Sequence, residues 1–529
     1  MVEHGGTDRI TIASIEYDPL GGQPVGRFLE NPLMHRHLIG GALLLLLLAC
    51  TSALSAAAAR SWDAPLSGTN ACDLNSDGLV NVVDVQLAIN QVLGISSCTT
   101  ADIDGNGHCD VVDVQRIINA ALGNGCQTGA GTGATWYVAP TGADTNPCTQ
   151  ASPCRQVARA LTLVHPGDTI LVADGSYNAF TVDSLNGTAA NPITIKAQGQ
   201  NANIVPVSGG RDTIFVTFSS YIVIDGLRSF NAIRAAVRID NSPHITVQNG
   251  VFGNNATWGI FTDFSDYLLL QNNECYGSGT QHGIYVSNSG DFPVVRGNRL
   301  HDNAGAGLQL NADASQGGDG IITGALLEDN VIYNNGSAGG SAINLDGVQG
   351  STIRNNLLYN NHASGIAMFQ IDGAAGPSGN FVYHNTIVMA TDGRWDLRID
   401  SSVGVNTVRN NILYNLNTGH GGIDYTGPTD VADTDSDYNI FGGGNTAITS
   451  DDGDTFLTLA QWQVQGHEAH SFTATSSALF VNAGAADYSL SATSPAIDKG
   501  QTLATVTSDI VGTPRPQGAA SDIGCYEHQ

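Results

Sequence analysis

A short strand motif ending in asparagine recurs along this chain, and a recurring strand limits the possible folds more than any other feature. The segments ITVQNGVF, LLLQNNECY, VVRGNRLHD, LLEDNVIYNN, TIRNNLLYNN, VYHNTIVM and VRNNILYN follow one another from Ile245 to Asn415. Aligning them superposes Asn273, Asn298, Asn330, Asn356, Asn385, Asn411 and, one repeat later, Asn439. The spacing runs from 25 to 32 residues, as solenoid rungs with unequal loops allow. Stacked asparagines at a turn bond to their neighbours above and below, forming a ladder whose role is structural. The chain therefore reads as mainly β, a parallel β-helix. A β-propeller would need antiparallel hairpin signals, and these are missing.

The residues between these strands form a second aligned set: GIFTDF, GIYVSN, GLQLNAD, AINLDG, GIAMFQID, DLRID and GIDYT. Strand alternation points Ile260, Ile284, Leu308, Ile343, Ile366, Leu397 and Ile423 inward. It points Asp263, Tyr285, Gln309, Asn311, Asn344, Asp346, Phe369, Arg398, Asp400 and Asp424 outward. His282, His301, Asp313, Asp319, His362, Asp372 and Arg394 are expected in nearby turns. An ordinary solvated sheet face would also be polar. The density of Asp, Asn and aromatic residues favours a groove for an extended carbohydrate chain.

Ahead of the solenoid lie two related segments, DLNSDGLVNVVDVQLAINQVLG (73–94) and DIDGNGHCDVVDVQRIINAALG (102–123), identical at about half their aligned positions. Each begins with a twelve-residue calcium loop. In the first, Asp73, Asn75, Asp77 and Asp84 supply side-chain oxygens at positions one, three, five and twelve, with Asn81 at nine and the Leu79 carbonyl at seven. Gly78 permits the sharp turn. In the second loop the matching residues are Asp102, Asp104, Asn106, Asp110 and Asp113, with the His108 carbonyl and with Gly107 at the turn. Hard oxygen donors at this spacing select Ca²⁺. An apolar helix follows each loop, with Val82, Val85 and Ile89 in the first and Val111, Val114 and Ile118 in the second. No entering helix precedes either loop. This arrangement, with Asp at the twelfth position, resembles a dockerin over residues 72–126, which implies a small all-α calcium-binding domain. The resemblance implies a cohesin partner. Apolar Val82, Val83, Val111 and Val112 at its recognition positions suit packing on the chain itself at least as well.

Residues 127–135 read as a linker. A strand at Trp136–Ala139, an amphipathic helix near Cys154–Val164 and a strand at Thr169–Ala173 then resemble the amino-terminal cap of pectate-lyase-like proteins. The resemblance implies a right-handed parallel β-helix, here over 136–445, with the helix covering its open end. The final segments, DYSLSATSPAIDKG (487–500) and DIVGTPRPQGAASDIGCYE (509–527), resemble a choice-of-anchor type carboxyl end, so 446–529 reads as a cap or anchor segment.

Residues 34–59 carry a short basic start (His35, Arg36, His37), an apolar run and small residues, the pattern of a signal peptide. Leu47, Leu48, Ala49 and Cys50 also resemble a lipobox, which would tether the chain to a membrane through Cys50. Residues 1–33 read as an upstream extension before a start at Met34, and 60–71 as a linker. Nine cysteines suit an oxidising compartment. A bridge between Cys148 and Cys154 is expected, with two more among Cys72, Cys98, Cys109 and Cys126, and Cys275 buried and free. A net charge of -28 makes nucleic acid and anionic membrane surfaces poor partners and a cation a natural one.

The β-helix resemblance implies polysaccharide lyases, hydrolases and epimerases as well as non-catalytic surface proteins. A lyase acting on a uronate-containing polysaccharide must neutralise the uronate carboxylate and remove the adjacent C5 proton. Ca²⁺ held by Asn311, Asp313, Asn344 or Asp346 would serve the first need, and Arg398, His362, His282 or Tyr285 the second. Many related lyases use a lysine on the solenoid face, and here only Lys196 and Lys499 exist, neither in these rungs. A glycoside hydrolase would instead pair Asp346 with Asp313 or Asp400. A glycan-binding or adhesive surface protein would need no activated group.

Overall fold

The computed structural model describes residues 70–103, 108–122, 126 and 133–529, which form two compact units considered separately. The signal segment and Cys50 lie outside the described residues.

The first unit is a pair of helices, Val82–Val92 and Val111–Ala121. Both start with a capping box. The Asn81 side chain accepts from the Val83 amide, and Asp84 accepts from the Asn81 amide. Asp110 and Asp113 repeat this in the second helix. Ala88 and Ile117 meet in the core together with Cys72, Ala101 and Ile103. Val82 and Val111, expected on the apolar faces, are instead each 73% exposed. Asp84 and Asp113 take the inward position because backbone amides satisfy their carboxylates. Disulfides join Cys72 to Cys126 and Cys98 to Cys109.

The second unit opens with a strand at Thr135–Val138, a Cys148–Cys154 disulfide and a five-residue helix, Val157–Leu161. The helix packs on the first strands, with Val157 and Ala160 fully buried in the interior. Three parallel sheets of 12, 11 and 12 strands follow, and each turn of the chain adds one strand to each. One turn, for example, places Thr246–Gln248 in the first sheet, Val251–Gly253 in the third and Trp258–Asp263 in the second. Ile260, Ile284, Leu308, Ile343, Ile366, Leu397 and Ile423 stack as one inward column, each fully buried. This is a parallel β-helix.

At the turn from the first sheet to the third, Asn273, Asn298, Asn330, Asn356, Asn385, Asn411 and Asn439 form the expected ladder. Each donates both its backbone N–H and its Nδ2 to the Oδ1 of the next, at 2.9–3.2 Å. The residue before each asparagine has positive φ, from Asn272 (55°) to Asn410 (61°), which accounts for the recurring NN, GN and DN pairs. The last rung ends on Glu468, whose buried carboxylate accepts from Asn439 Nδ2, Ser436 and Ser471. A second ladder, Asn303–Asn335–Asn361, runs at the turn from the third sheet to the second.

The helix Leu459–Val464 puts Leu459 and Trp462 into the interior cluster, with Trp462 stacked on Tyr425 at 5.7 Å. Beyond it the chain does not remain at the end of the solenoid. Leu479, Phe480, Tyr488, Leu490, Ile523 and Cys525 pack on Leu357, Val388, Ile412, Tyr414 and Ile440 of the third sheet. Along that outward column Glu274 and Arg299 give way to Val331, Leu357, Thr386, Ile412 and Ile440, so the later rungs require a cover. Three disulfides suit an extracellular protein. Among the described residues no helix is long and apolar enough to cross a membrane.

Candidate functional site

The outer face of the second sheet carries two stacked columns. Tyr285, Gln309, Asn344, Ala367, Arg398 and Asp424 are successive cross-strand neighbours. Asp263, Ser287, Asn311, Asp346 and Phe369 form the column beside them. Rungs lie about 4.8 Å apart, so each column reads along the solenoid axis. The face is not uniformly solvated. Asp346 is 2% exposed and Asp424 is fully buried.

Around Tyr285 several groups converge. Asn311 Nδ2 donates to the Tyr285 hydroxyl and to Asp372 Oδ2, both at 3.2 Å. Asn311 Oδ1 is buried without a partner. Burial, together with the charges of Asp372, Asp313 and Asp346, pushes the Tyr285 hydroxyl up to about 12, so it stays protonated at neutral pH. Trp258 and Phe261 pack beside it, with ring centroids 6.2 and 5.3 Å from that of Tyr285. His282 stands edge-on to Tyr285 at 5.2 Å. Its Nδ1 accepts from the Ala306 amide at 2.9 Å, so the ring proton sits on Nε2, and burial holds it down at about 4. The lone pair a base would need is already in use.

Arg398 and Asp400 lie farther along the same face. The Arg398 guanidinium is tied to Asp424, to Asp452 Oδ1 at 2.8 Å and to Asp400 Oδ2 at 3.4 Å. Three carboxylates keep it charged, which disfavours it as a base. Burial is the main reason the Asp424 carboxyl is raised to about 7, with Arg398 opposing and Asp452 adding to the rise. Its Oδ1 has no partner. His362 stands apart in a turn, its Nδ1 3.0 Å from Asp392. His301, expected in a turn beside this face, sits in the third sheet, stacked between Tyr276 and Tyr333. Asp319 and Arg394 are exposed in turns as expected. The six catalytic candidates therefore fall in three places: Tyr285, His282 and Asp346; Arg398 and Asp400; and His362. Sequence reasoning left Asp372 and Asp424 without a role and missed Asp452 and Trp258. Loop folding brings Asp372 and Asp452 to the face, and no local pattern marks that.

In the first unit, the amides of Asp77 and Gly78 donate to Asp73, and that of Asp77 also donates to Asn75 Oδ1 at 3.0 Å. Gly78 adopts φ +90°. Asp73, Asn75 and Asp77 thus lie on one tight turn, and with Asp84 their side-chain oxygens are a donor set whose chemistry fits Ca²⁺. Asp84 accepts from the Leu74, Asn75 and Asn81 amides. Asp104, Asn106 and Gly107 lie outside the described residues. Asp110 caps the second helix, His108 lies in the chain before it, and Asp113 accepts from the Ile103 amide at 2.8 Å. Among the described residues no three acidic, imidazole or thiol groups already converge on a metal position.

A family model described as the Pel9A-like, right-handed β-helix region matches residues 136–277. The chain is 26% identical over 231 residues to YwoF, an uncharacterized protein of Bacillus subtilis (strain 168), covering 41% of this chain. The match spans 45% of that relative's length. Pectate lyase Pel9A aligns at TM-score 0.47 with 18% identity, over 76% of this chain and 98% of that one. An alginate lyase from Paenibacillus sp. str. FPU-7 aligns at 0.42 with 21% identity, over 55% and 97%.

Proposed function

We propose that this chain is an extracellular polysaccharide-active protein, a Ca²⁺-dependent lyase that cleaves an acidic, uronate-containing chain lying along the outer face of the second sheet. The observation that carries the reading is the convergence of Tyr285, Asn311, Asp313 and Asp372 beside the aromatic pair Trp258 and Phe261. Elimination needs a proton donor for the departing glycosidic oxygen, and the Tyr285 hydroxyl keeps its proton at neutral pH. It needs an acceptor for the C5 proton, and Asp372 is a carboxylate held in the same hydrogen-bonded group. Asn311 and Asp313 are the residues that would hold Ca²⁺ here, the Asn311 Oδ1 being buried and unpartnered. Ca²⁺ would neutralise the substrate carboxylate. On a chain of net charge -28, an acidic glycan needs such a counter-charge to approach. The tandem loops of the first unit are proposed as two further Ca²⁺ sites.

A second reading rests on Asp424. A buried carboxyl raised to about 7, near Asp400 and Asp452, has the protonation a hydrolase acid requires. The assay that separates these readings is ultraviolet absorbance of the unsaturated uronate product on pectin, alginate and glycosaminoglycans, with and without Ca²⁺. Calcium-dependent absorbance lost in Tyr285→Phe and Asp372→Asn supports the lyase. Reducing ends without absorbance, lost in Asp424→Asn, support hydrolysis. Binding without product supports a glycan-binding protein.

A further inference from the structure

Asp346 is among the most buried carboxylates on the outer face, 2% exposed, and its two oxygens are already in use. Oδ1 accepts from the amides of Ile371 (2.9 Å) and Gly373 (3.1 Å), and Oδ2 from the amide of Asp372 (2.9 Å). Three consecutive amides of one loop thus close on a single side chain. The loop is held in other ways too. Gly347 and Gly373 pack back to back, so that a Cβ at Gly373 would fall 2.5 Å from Gly347 Cα. The Ala314 amide donates to Asp372 O, and the Ala374 amide to Gly320 O. The segment carrying Asp313 is therefore bonded to the segment carrying Asp372.

We propose that Asp346 is a positioning residue of the reactive group, carrying no chemistry of its own. It fixes the 371–373 backbone, sets the Asp372 side chain against Asn311 and Tyr285, and through Ala314 registers Asp313 on the other side. This rests on the lyase reading above. A carboxylate is suited to the task because it accepts several amides at once and each charge-assisted bond is strong. An amide in its place offers one accepting oxygen, and its NH₂ would face a backbone N–H.

The test compares wild type, Asp346→Asn, Asp346→Glu, Gly373→Ala and Asp372→Asn. Hydrogen–deuterium exchange over 370–374 is expected to quicken on the order of tenfold in Asp346→Asn, the effect of losing a charge-assisted bond. It is expected to remain slow in Asp372→Asn. Gly373→Ala displaces the same loop from its other side and leaves the carboxylate in place, so it should loosen 370–374 as well. On a glycan that wild type cleaves, Asp346→Asn should lower kcat with KM little changed. Asp346→Glu, with its acceptors retained, should recover part of the rate. Unchanged exchange in Asp346→Asn overturns the proposal, and so does quickened exchange beside an unchanged kcat. Wild-type protein that cleaves none of the glycans defeats the lyase reading, while the exchange comparison still decides whether Asp346 holds the loop.

Discussion

Replacing Asn356 by alanine tests whether the asparagine ladder holds the solenoid together. Asn356 is fully buried. Its Oδ1 accepts from the Asn330 N–H and Nδ2, both at 3.0 Å, and its Nδ2 donates to Leu327 O and Asn385 Oδ1, both at 2.9 Å. Alanine removes all four bonds. At a net value of about 1 kcal/mol each, the loss is about 4 kcal/mol. Two of the abandoned groups are donors on Asn330 in a site closed to solvent, which sets the range at roughly 3–6 kcal/mol. That is a large part of the roughly 5–15 kcal/mol that holds a domain folded. Urea unfolding followed by circular dichroism measures the total. Hydrogen exchange over the rungs on either side shows where it falls, since solenoid rungs interact mainly with their neighbours. Asn356→Asp adds a check of sign. Its oxygens still accept from Asn330 but face Leu327 O and Asn385 Oδ1 without a proton, so it should destabilise at neutral pH and recover in acid. A loss below about 1 kcal/mol for Asn356→Ala would refute the ladder as a stabilising element.

Other expectations follow from single sites. Ca²⁺ should bind the first unit in a calorimetric titration, and Asp77→Asn should weaken one of the two binding events. His384 Nε2 accepts from Asn410 Nδ2 at 2.8 Å, so its Nδ1 carries the proton toward Asp522 O. Burial, first of all, depresses its pKa well below 6.5. The unfolded chain therefore takes up the proton first, and stability should fall as pH drops below 6.5, a dependence that shrinks in His384→Gln when urea midpoints are compared. Asp396 is fully buried, neither oxygen has a partner, and burial raises its pKa well above 3.8. Here the unfolded state loses the proton first, so stability should fall as pH rises above 3.8. Asp396→Ala should raise the neutral-pH melting temperature, with the gain vanishing toward acid.

The solenoid was legible because its device is periodic. Each ladder asparagine follows a residue in the left-handed region, and both leave a mark in the sequence. The Asn303–Asn335–Asn361 ladder leaves the same mark in YNNG and YNNH. The site was less legible. Asn311 and Tyr285 sit one rung and one column apart, which alternation predicts. Asp372 reaches them only because 370–374 folds back onto Asp346 across a rung, a contact set by the path of a loop. Arg398 was legible as outward, but its three carboxylate partners lie in three different segments of the chain. The inward turn of Asp84 was missed because a satisfied carboxylate outranked the valines beside it.

The two covered faces of the solenoid differ in a way that bears on function. In the later rungs the third sheet presents Leu357, Ile412 and Ile440 outward, and the carboxyl-terminal segment lies on them. That burial is favourable on its own, by about 25 cal/mol for each Å² of apolar surface removed from water. The same rungs of the second sheet present Asn344, Asp346, Arg398 and Asp424 outward, and these are also largely removed from water. Covering them costs desolvation, which is why burial raises both Asp346 and Asp424. A face that needed only a cover would use leucine and isoleucine, as its neighbour does one turn of chain away. Charged partners such as Arg398 and clamped amides such as those of 371–373 reduce the cost without removing it. Stability alone therefore does not account for the polar face.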